Sequence, residues 1–427
     1  MNGITLEAIL GHDNLTGALA RVEANKGAPG VDGMETWELR DYIRSHPQEL
    51  TASIKAGKYR PSPVLRVTIP KEEPGKFREL GIPTVQDRLV QQAVAQILSF
   101  YYDPRFSTRS HGFRPNQSAH DAILDVVAYA DQGYRWVVDM DLEKFFDTIN
   151  HSKMVQILSD DIEDGRVISL IHRFLRADVQ TEAGLEKRDK GAPQGGPLSP
   201  ILANILLDRL DKELEARGLH FTRYADDMMI FCRTRRAAER VFKSITRFIE
   251  TKLLLKVNRE KSRVCYIGDP GLKFLGYGFS HAGKRILPTI HRKTKAKFKE
   301  KVRDILKRNR GQSLDKFTSG LRTFLVGWCE YFKLARCRMW VAGTDEWIRR
   351  RIRMLYWKRW KRVWTRFAVL KKLGISEEQA WMWANSSKGY WRISNSPVLT
   401  LALGNDRLAG LGWTWLGLVG TFAAWSN

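Results

Sequence analysis

Apolar residues recur along this chain with two different periods. Leu6, Ile9 and Leu10 begin an amphipathic helical pattern that occupies the first 60 residues. It is interrupted by the turn-forming stretch Asn25-Lys26-Gly27-Ala28-Pro29-Gly30-Val31-Asp32-Gly33, whose glycines fit either a phosphate cradle or an ordinary loop. From residue 61 to about 280, short β-rich runs (64–69, 136–140, 228–231) mix with helical ones (85–100, 119–130, 200–214). Strands and helices do not alternate regularly, which predicts an α+β fold rather than a doubly wound one. Beyond residue 284 the period is helical throughout. Ile348, Ile352, Leu355, Tyr356, Trp360, Val363, Trp364, Phe367 and Leu370 form a stripe from Glu346 to Lys372, with Arg349, Arg350, Arg353, Lys358, Lys361, Arg362 and Arg366 mostly off it. The tryptophans of this half then read as core and the arginines as an outer face.

Composition changes the picture in one direction. The chain has 427 residues, 43% of them hydrophobic, enough for more than one core. Its formal net charge of +24 exceeds what solubility needs and points to a polyanionic partner, with nucleic acid ahead of an anionic membrane. Cys232, Cys265, Cys329 and Cys337 include no Cys-x-x-Cys pair, which argues against zinc and disulfides and fits a reducing cytoplasm. The start Met-Asn-Gly-Ile-Thr-Leu-Glu lacks the features of a secretory signal. Leu408 to Trp425 is uncharged, but its four glycines favour a terminal packing segment over a membrane span.

In so basic a chain, carboxylates inside apolar strands are the informative residues, because burying one costs desolvation unless it is paired or holds a metal. Two segments qualify. In Trp136-Val137-Val138-Asp139-Met140-Asp141 a strand carries Asp139 and Asp141 on one face. Arg223-Tyr224-Ala225-Asp226-Asp227-Met228-Met229-Ile230-Phe231 reads as strand, tight turn and strand with adjacent carboxylates at the tip. Aspartates gathered from separate strands suit hard cations, and two Mg²⁺ roughly 3.5–4 Å apart can clamp an in-line phosphoryl displacement. Either segment alone fits equally well a pair of acidic turns bridged to local lysines.

Tyr224-Ala225-Asp226-Asp227 resembles the Tyr-x-Asp-Asp hairpin of reverse transcriptases, in the Ala form of group II intron enzymes, and Asp141 to Asp147 resembles that family's first catalytic motif. The resemblance implies Asp141, Asp226 and Asp227 as catalytic metal ligands for two Mg²⁺, with Leu142 beside them, and Phe146 as the sugar-discriminating aromatic. Asp139 lacks the motif's spacing and stays outside this set. Ile69-Pro70-Lys71 with Arg78-Glu79-Leu80-Gly81-Ile82-Pro83 resembles the fingertip motif, implying that Lys71 and Arg78 grip the triphosphate. His111-Gly112-Phe113-Arg114-Pro115 is similar to the next block, and Ala192-Pro193-Gln194-Gly195-Gly196-Pro197 to the nucleotide loop, with Gln194 against the dNTP. Asn258 to Ser262 and Phe274-Leu275-Gly276-Tyr277 resemble the last two palm blocks, with Lys261 implied in protonating pyrophosphate.

The implied architecture is a right-hand polymerase of fingers and antiparallel-sheet palm, followed by a helical thumb. Its expected parts are an N-terminal extension (1–60), fingers and palm (61–283), thumb or maturase domain (284–375) and a basic, aromatic, DNA-binding-like region (376–427). Arg349, Arg350, Arg353, Lys358 and Arg362 would face RNA. Partners implied are group II intron RNA, an RNA template with a DNA primer, dNTPs and a DNA target, with no membrane. The sequence has no Cys- and His-rich endonuclease region, which resembles the compact class that primes from an existing DNA 3′ end. Two rival readings share the motifs: a domesticated reverse transcriptase of phage defence or repair, and a non-catalytic splicing factor.

Overall fold

The computed structural model describes residues 3–46, 48–70, 75, 77–309 and 311–420. The chain divides into two compact units, Met1–Tyr266 and Ile267–Asn427. In the first, β1 (Val64–Pro70) pairs antiparallel with β2 (Phe77–Ile82), and β3 (Trp136–Met140) lies elsewhere, in a second sheet. The short β4 (Val179–Thr181) and β5 (Gly184–Glu186) extend the β1–β2 ribbon, β4 running parallel to β1. The second sheet contains β6 (His220–Tyr224), β7 (Asp227–Cys232), β3 and β8 (Arg263–Tyr266) in that order, every pair antiparallel. This is the sheet expected of a palm.

Side-chain alternation sorts the palm sheet into two faces. Val138 opposes Ile230, Met140 opposes Met228 and Phe221 opposes Ile230, and these residues join one core cluster with the helices Val85–Tyr102 and Ser199–Ala216. Thr84 starts the first of these helices by accepting the Asp87 amide at 3.2 Å. The second carries Pro200 in its first turn and buries Ile201, Leu202, Ala203, Ile205, Leu206 and Leu207, so it is apolar nearly all round and sits inside the unit. The alternate positions Tyr224, Asp227 and Asp139 therefore fall on the opposite face from this core.

The N-terminal extension is helical, with His12–Asn25, Leu39–Ser45 and Glu49–Lys55 flanking the glycine-rich stretch. That stretch is a packed loop. A Cβ on Gly30 would come within 2.7 Å of the Thr84 backbone, and the Arg88 guanidinium donates to the Ala28 carbonyl.

The second unit opens with a hairpin of β9 (Tyr277–Ala282) and β10 (Arg285–Ile290), turning at Gly283 with φ +62. The compositional boundary at 283/284 coincides with this turn, whereas the compact unit begins at Ile267. Four longer helices follow: Arg292–Ile305, Leu314–Tyr331, Arg338–Arg359 and Val363–Lys372. Phe298, Trp328, Phe332 and Trp340 interlock at their core, with ring centroids 4.6–5.5 Å apart along that chain of contacts.

Two helical expectations need correction. The stripe predicted from Glu346 to Lys372 belongs to two helices, separated after Arg359, and the Arg366 guanidinium donates to the Trp360 carbonyl at 2.8 Å where the chain turns. No Gly or Pro marks that break, so periodicity runs through it, and Trp364 on the far side is 64% exposed rather than core. Arg353 is only 6% exposed and donates to the Leu403 carbonyl at 3.0 Å, so it belongs to the interior and not to the outer face. The described part of the C-terminal apolar segment, residues 408–420, packs as short helices with Leu408, Trp413 and Leu416 buried, and its remaining residues to Trp425 lie outside the described residues. Among the described residues no helix is long and apolar enough to cross a membrane.

Candidate active site

Tyr224 pairs with Asp227, leaving Ala225 and Asp226 as a two-residue turn. Ala225 sits at φ +57, a left-handed conformation that disfavours a side chain and needs outside support. Arg223 supplies it: its Nη1 donates to the Ala225 carbonyl at 3.0 Å and to Asn204 Oδ1 at 3.1 Å, while its Nε donates to Asp211 Oδ1 at 2.8 Å. Both Arg223 and Asp211 are fully buried. Asn204 in turn donates to the Gly112 carbonyl at 2.9 Å, and Gly112 lies so close to Ala225 that no Cβ fits between them. The hairpin tip is thus clamped from the helix Ser199–Ala216 and from the His111–Pro115 loop. The motifs assign nothing to Arg223 and Asp211, although opposite charges within apolar elements satisfy the same desolvation criterion that singles out the aspartates.

Asp141 lies one residue past β3 and is positioned by the segment 256–262. Its amide donates to Ser262 Oγ at 3.0 Å, its carbonyl accepts the Asn258 amide at 2.9 Å, and Lys261 Nζ stands 3.7 Å from its carboxylate. Leu142 is buried and bridges Val257. Continuing the β3–β7 register from Asp139↔Met229 brings Asp141 opposite Asp227.

The carboxylates feel one another. Burial raises the Asp226 carboxyl above its ordinary range and Asp141 pushes it further, while Arg78 and Arg223 pull it back. Burial pushes Asp139 up to about 7, with Asp227 and Asp141 adding to the shift against Arg263, whose Nε lies 3.8 Å away. Asp139, set aside by motif spacing, is therefore a fourth member of the acidic cluster. Among the described residues no three such side chains converge at ligating distance on one point. The donor chemistry nevertheless fits Mg²⁺: hard carboxylate oxygens, partly desolvated and mutually repelling, are stabilised by a compact divalent charge.

The 192–197 loop is bonded to two other segments that the sequence singles out. Ala192 donates its amide to the Phe146 carbonyl at 2.7 Å, and the Gly81 amide donates to the Gln194 carbonyl at 2.8 Å. Gly195, at φ +132, lies against Gly81, where a Cβ would sit 2.7 Å from the carbonyl oxygen. Phe145 is buried and Phe146 half-buried, at the start of a short helix after Lys144. Arg78 projects from β2 within electrostatic reach of Asp226. Lys71 lies outside the described residues.

In the second unit the predicted RNA-facing residues scatter. Arg349 lies over Trp415 at 5.1 Å and Arg350 over Trp391 at 3.9 Å, while Lys358 donates to Asn309 and Arg362 is exposed. A tighter group carries no sequence motif. Lys299, Arg303 and Arg351 all stand within 5.3–5.8 Å of the Trp347 ring, and Arg308 stacks over Tyr390. Among the described residues none of these four cations forms an ion pair, and the Nε atoms of Arg350 and Arg351 are buried without a hydrogen-bond partner. Spacing along single helices could not reveal this cluster: helices 292–305 and 338–359 build its Trp347 part together, and Arg308 and Tyr390 lie outside both.

A four-stranded antiparallel sheet carrying four electrostatically coupled carboxylates, with Arg78 within reach and the 192–197 loop bonded to Phe146 and Gly81, is suited to nucleotidyl-transfer chemistry. Residues 69–279 match the family described as reverse transcriptase (RNA-dependent DNA polymerase), and residues 295–374 match the group II intron maturase-specific domain. The chain belongs to the reverse transcriptases that carry a maturase domain, and by family it is an RNA-directed DNA polymerase. It is 31% identical over 294 residues to protein YkfC of Escherichia coli, covering 60% of this chain and 77% of YkfC. It is 30% identical over 324 residues to the group II intron-encoded protein LtrA of Lactococcus lactis, covering 61% of this chain and 54% of LtrA. A putative COX1/OXI3 intron 2 protein of Saccharomyces cerevisiae is 30% identical over 291 residues, covering 55% of this chain and 34% of that protein.

Proposed function

We propose that this protein copies RNA into DNA by adding deoxynucleotides to a primer 3′-hydroxyl, and that its C-terminal helices hold group II intron RNA to assist splicing and retrotransposition into a DNA target. The observation that carries the first part is the half-buried Asp226 carboxyl at the hairpin tip, raised by desolvation and by Asp141 and partly offset by Arg78. Asp141, Asp226 and Asp227, with the Leu142 backbone, would hold two Mg²⁺. When bound, these ions supply a lowered pKa at the attacking hydroxyl and neutralise charge on the phosphates. Arg78 and Lys71 orient the triphosphate, Gln194 lies against the nucleotide, and Phe146 excludes a ribose 2′-hydroxyl by contact. Lys261, already beside Asp141, hands a proton from Nζ to the departing pyrophosphate.

The second part is supported by the unpaired cations around Trp347, which suit phosphates of a structured RNA. The four cysteines are buried and form no disulfide among the described residues, which suits a protein that works in a reducing cytoplasm. The test is primer extension on an RNA template with Mg²⁺ and dNTPs, comparing wild type with Asp226→Asn plus Asp227→Asn. Extension by wild type alone is expected. Failure of both to extend would overturn the polymerase reading and leave the non-catalytic splicing factor in its place.

A further inference from the structure

Phe113 occupies a conformation that a bulky residue rarely adopts, φ +59, where its Cβ crowds the backbone. Its neighbours hold it there. Arg114 spends its guanidinium on four bonds: Nε to Asp103 Oδ1 at 2.7 Å, Nη1 to the Ser107 and Ser110 carbonyls at 2.6 and 2.8 Å, and Nη2 to the Asp103 carbonyl at 2.8 Å. The His111 amide donates to the Arg223 carbonyl at 2.9 Å, and its ring lies between Gln117 at 2.8 Å and Asp125 at 2.9 Å. The Gly112 carbonyl accepts from Asn204. His111, Gly112 and Arg114 are all turned inward and bonded, yet Phe113 between them is 51% exposed. Strain of this kind persists only where the surroundings over-determine it, and an apolar ring held in water gains by being covered.

The sheet order says what can cover it. Ser110 bridges Arg223 in parallel, so the loop continues the palm sheet beyond β6. Across the sheet the sequence of elements is loop, β6, β7, β3, with the Ala225–Asp226 tip joining β6 to β7. Asp141 follows β3, so Phe113 flanks the hairpin on the side away from Asp141, and Gly112 abuts the Ala225 backbone.

We propose that Phe113 touches substrate: its ring is a platform for the ribose and base edges of the template–primer duplex at the reacting end, and not for the incoming nucleotide. The contact is apolar and tolerant of sequence, as a polymerase that must translocate requires. The proposal rests on the polymerase reading above.

The test uses full-length protein, poly(rA)–oligo(dT) and dTTP, with Phe113→Ala, Phe113→Gly and Phe113→Tyr. Phe113→Ala is expected to speed dissociation of the primed template by about tenfold, a stacking-sized effect, and to leave KM for dTTP within about twofold. Phe113→Gly removes the same ring while its thermal midpoint rises, because glycine relieves the strained φ. Phe113→Tyr keeps the ring and the wild-type dissociation rate. An unchanged dissociation rate in Phe113→Ala overturns the proposal, and so does a raised KM for dTTP with dissociation unchanged. A lower midpoint in Phe113→Gly would make the residue structural and overturn it too. Absence of extension by wild type would sink the polymerase reading instead, so the two failures are distinguishable.

Discussion

Arg223 and Asp211 form a fully buried ion pair that connects the acidic hairpin to the helix behind it. They lie 12 residues apart in the chain, on β6 and the helix Ser199–Ala216, and Arg223 also carries the Ala225 carbonyl at the turn. Removing one partner strands the other charge in the core. Arg223→Ala is expected to cost about 3–5 kcal/mol in denaturant unfolding. Arg223→Met with Asp211→Leu restores most of that stability, because no charge remains to be desolvated, yet it leaves Ala225 without its donor. Primer extension by the double variant should therefore stay well below wild type while its unfolding midpoint recovers. Recovery of both together would show that the pair serves stability alone.

The parts of this site that are legible in the sequence are those set by local chemistry. Asp139 and Asp141 share a face because strands alternate, and the Tyr224–Asp227 turn is a two-residue hairpin bounded by β-prone residues. What the sequence hid depends on partners far along the chain. Gln194 bonds Gly81, and Asn204 bonds Gly112, across separations that no periodicity reports. Motif spacing excludes Asp139, but burial and two neighbouring carboxylates tie it to the cluster. Arg353 reads as an outer-face residue because helical period cannot show that a later segment, at Leu403, folds over it. The break after Arg359 escapes notice because a side chain, Arg366, rather than Gly or Pro accompanies it.

Phe146 is half-buried, and its carbonyl accepts the Ala192 amide of the 192–197 loop. If its ring excludes a 2′-hydroxyl, Phe146→Ala should raise incorporation of ribonucleotides relative to deoxynucleotides by about tenfold or more, since a steric block rather than a weak contact is removed. Single-nucleotide insertion with dCTP and CTP at matched concentrations measures this. Unchanged discrimination would assign the sugar contact to another residue.

The cations of the second unit differ in what they touch: Arg353 is buried against a carbonyl, whereas Arg303 and Arg308 lie over aromatic rings at the surface. Arg303 and Arg308 are exposed and lack carboxylate partners among the described residues, so Arg303→Gln with Arg308→Gln should leave folding intact and weaken RNA binding. The slope of log affinity against log salt should fall by roughly 0.7–0.9 for each phosphate that the variant no longer neutralises. Arg353→Ala is expected to behave differently, costing about 1–3 kcal/mol of stability through the unpaired Leu403 carbonyl. A filter-binding titration across salt, paired with denaturant unfolding, distinguishes them. An unchanged slope in the double variant would move the RNA-binding surface elsewhere.

Asp345 ties the end of the described chain to the helix Arg338–Arg359, accepting the Leu416 and Gly417 amides at 2.8 Å each. Burial pushes its carboxyl up to about 6, and the two amides and Arg349 only partly offset the shift. A carboxyl whose folded pKa exceeds its unfolded value makes the folded state bind more protons between the two, so its contribution to stability falls as pH rises. It is fullest below about pH 4, where both states are protonated, and is gone once pH passes well above 6. Comparison of wild type with Asp345→Asn isolates this from the many other carboxylates. Wild type should lose at most about 3 kcal/mol relative to the variant between pH 4.5 and 7.5. Unfolding midpoints measured at both pH values decide it: a difference between the two proteins that stays constant with pH would mean that Asp345 is ionised in the folded state throughout.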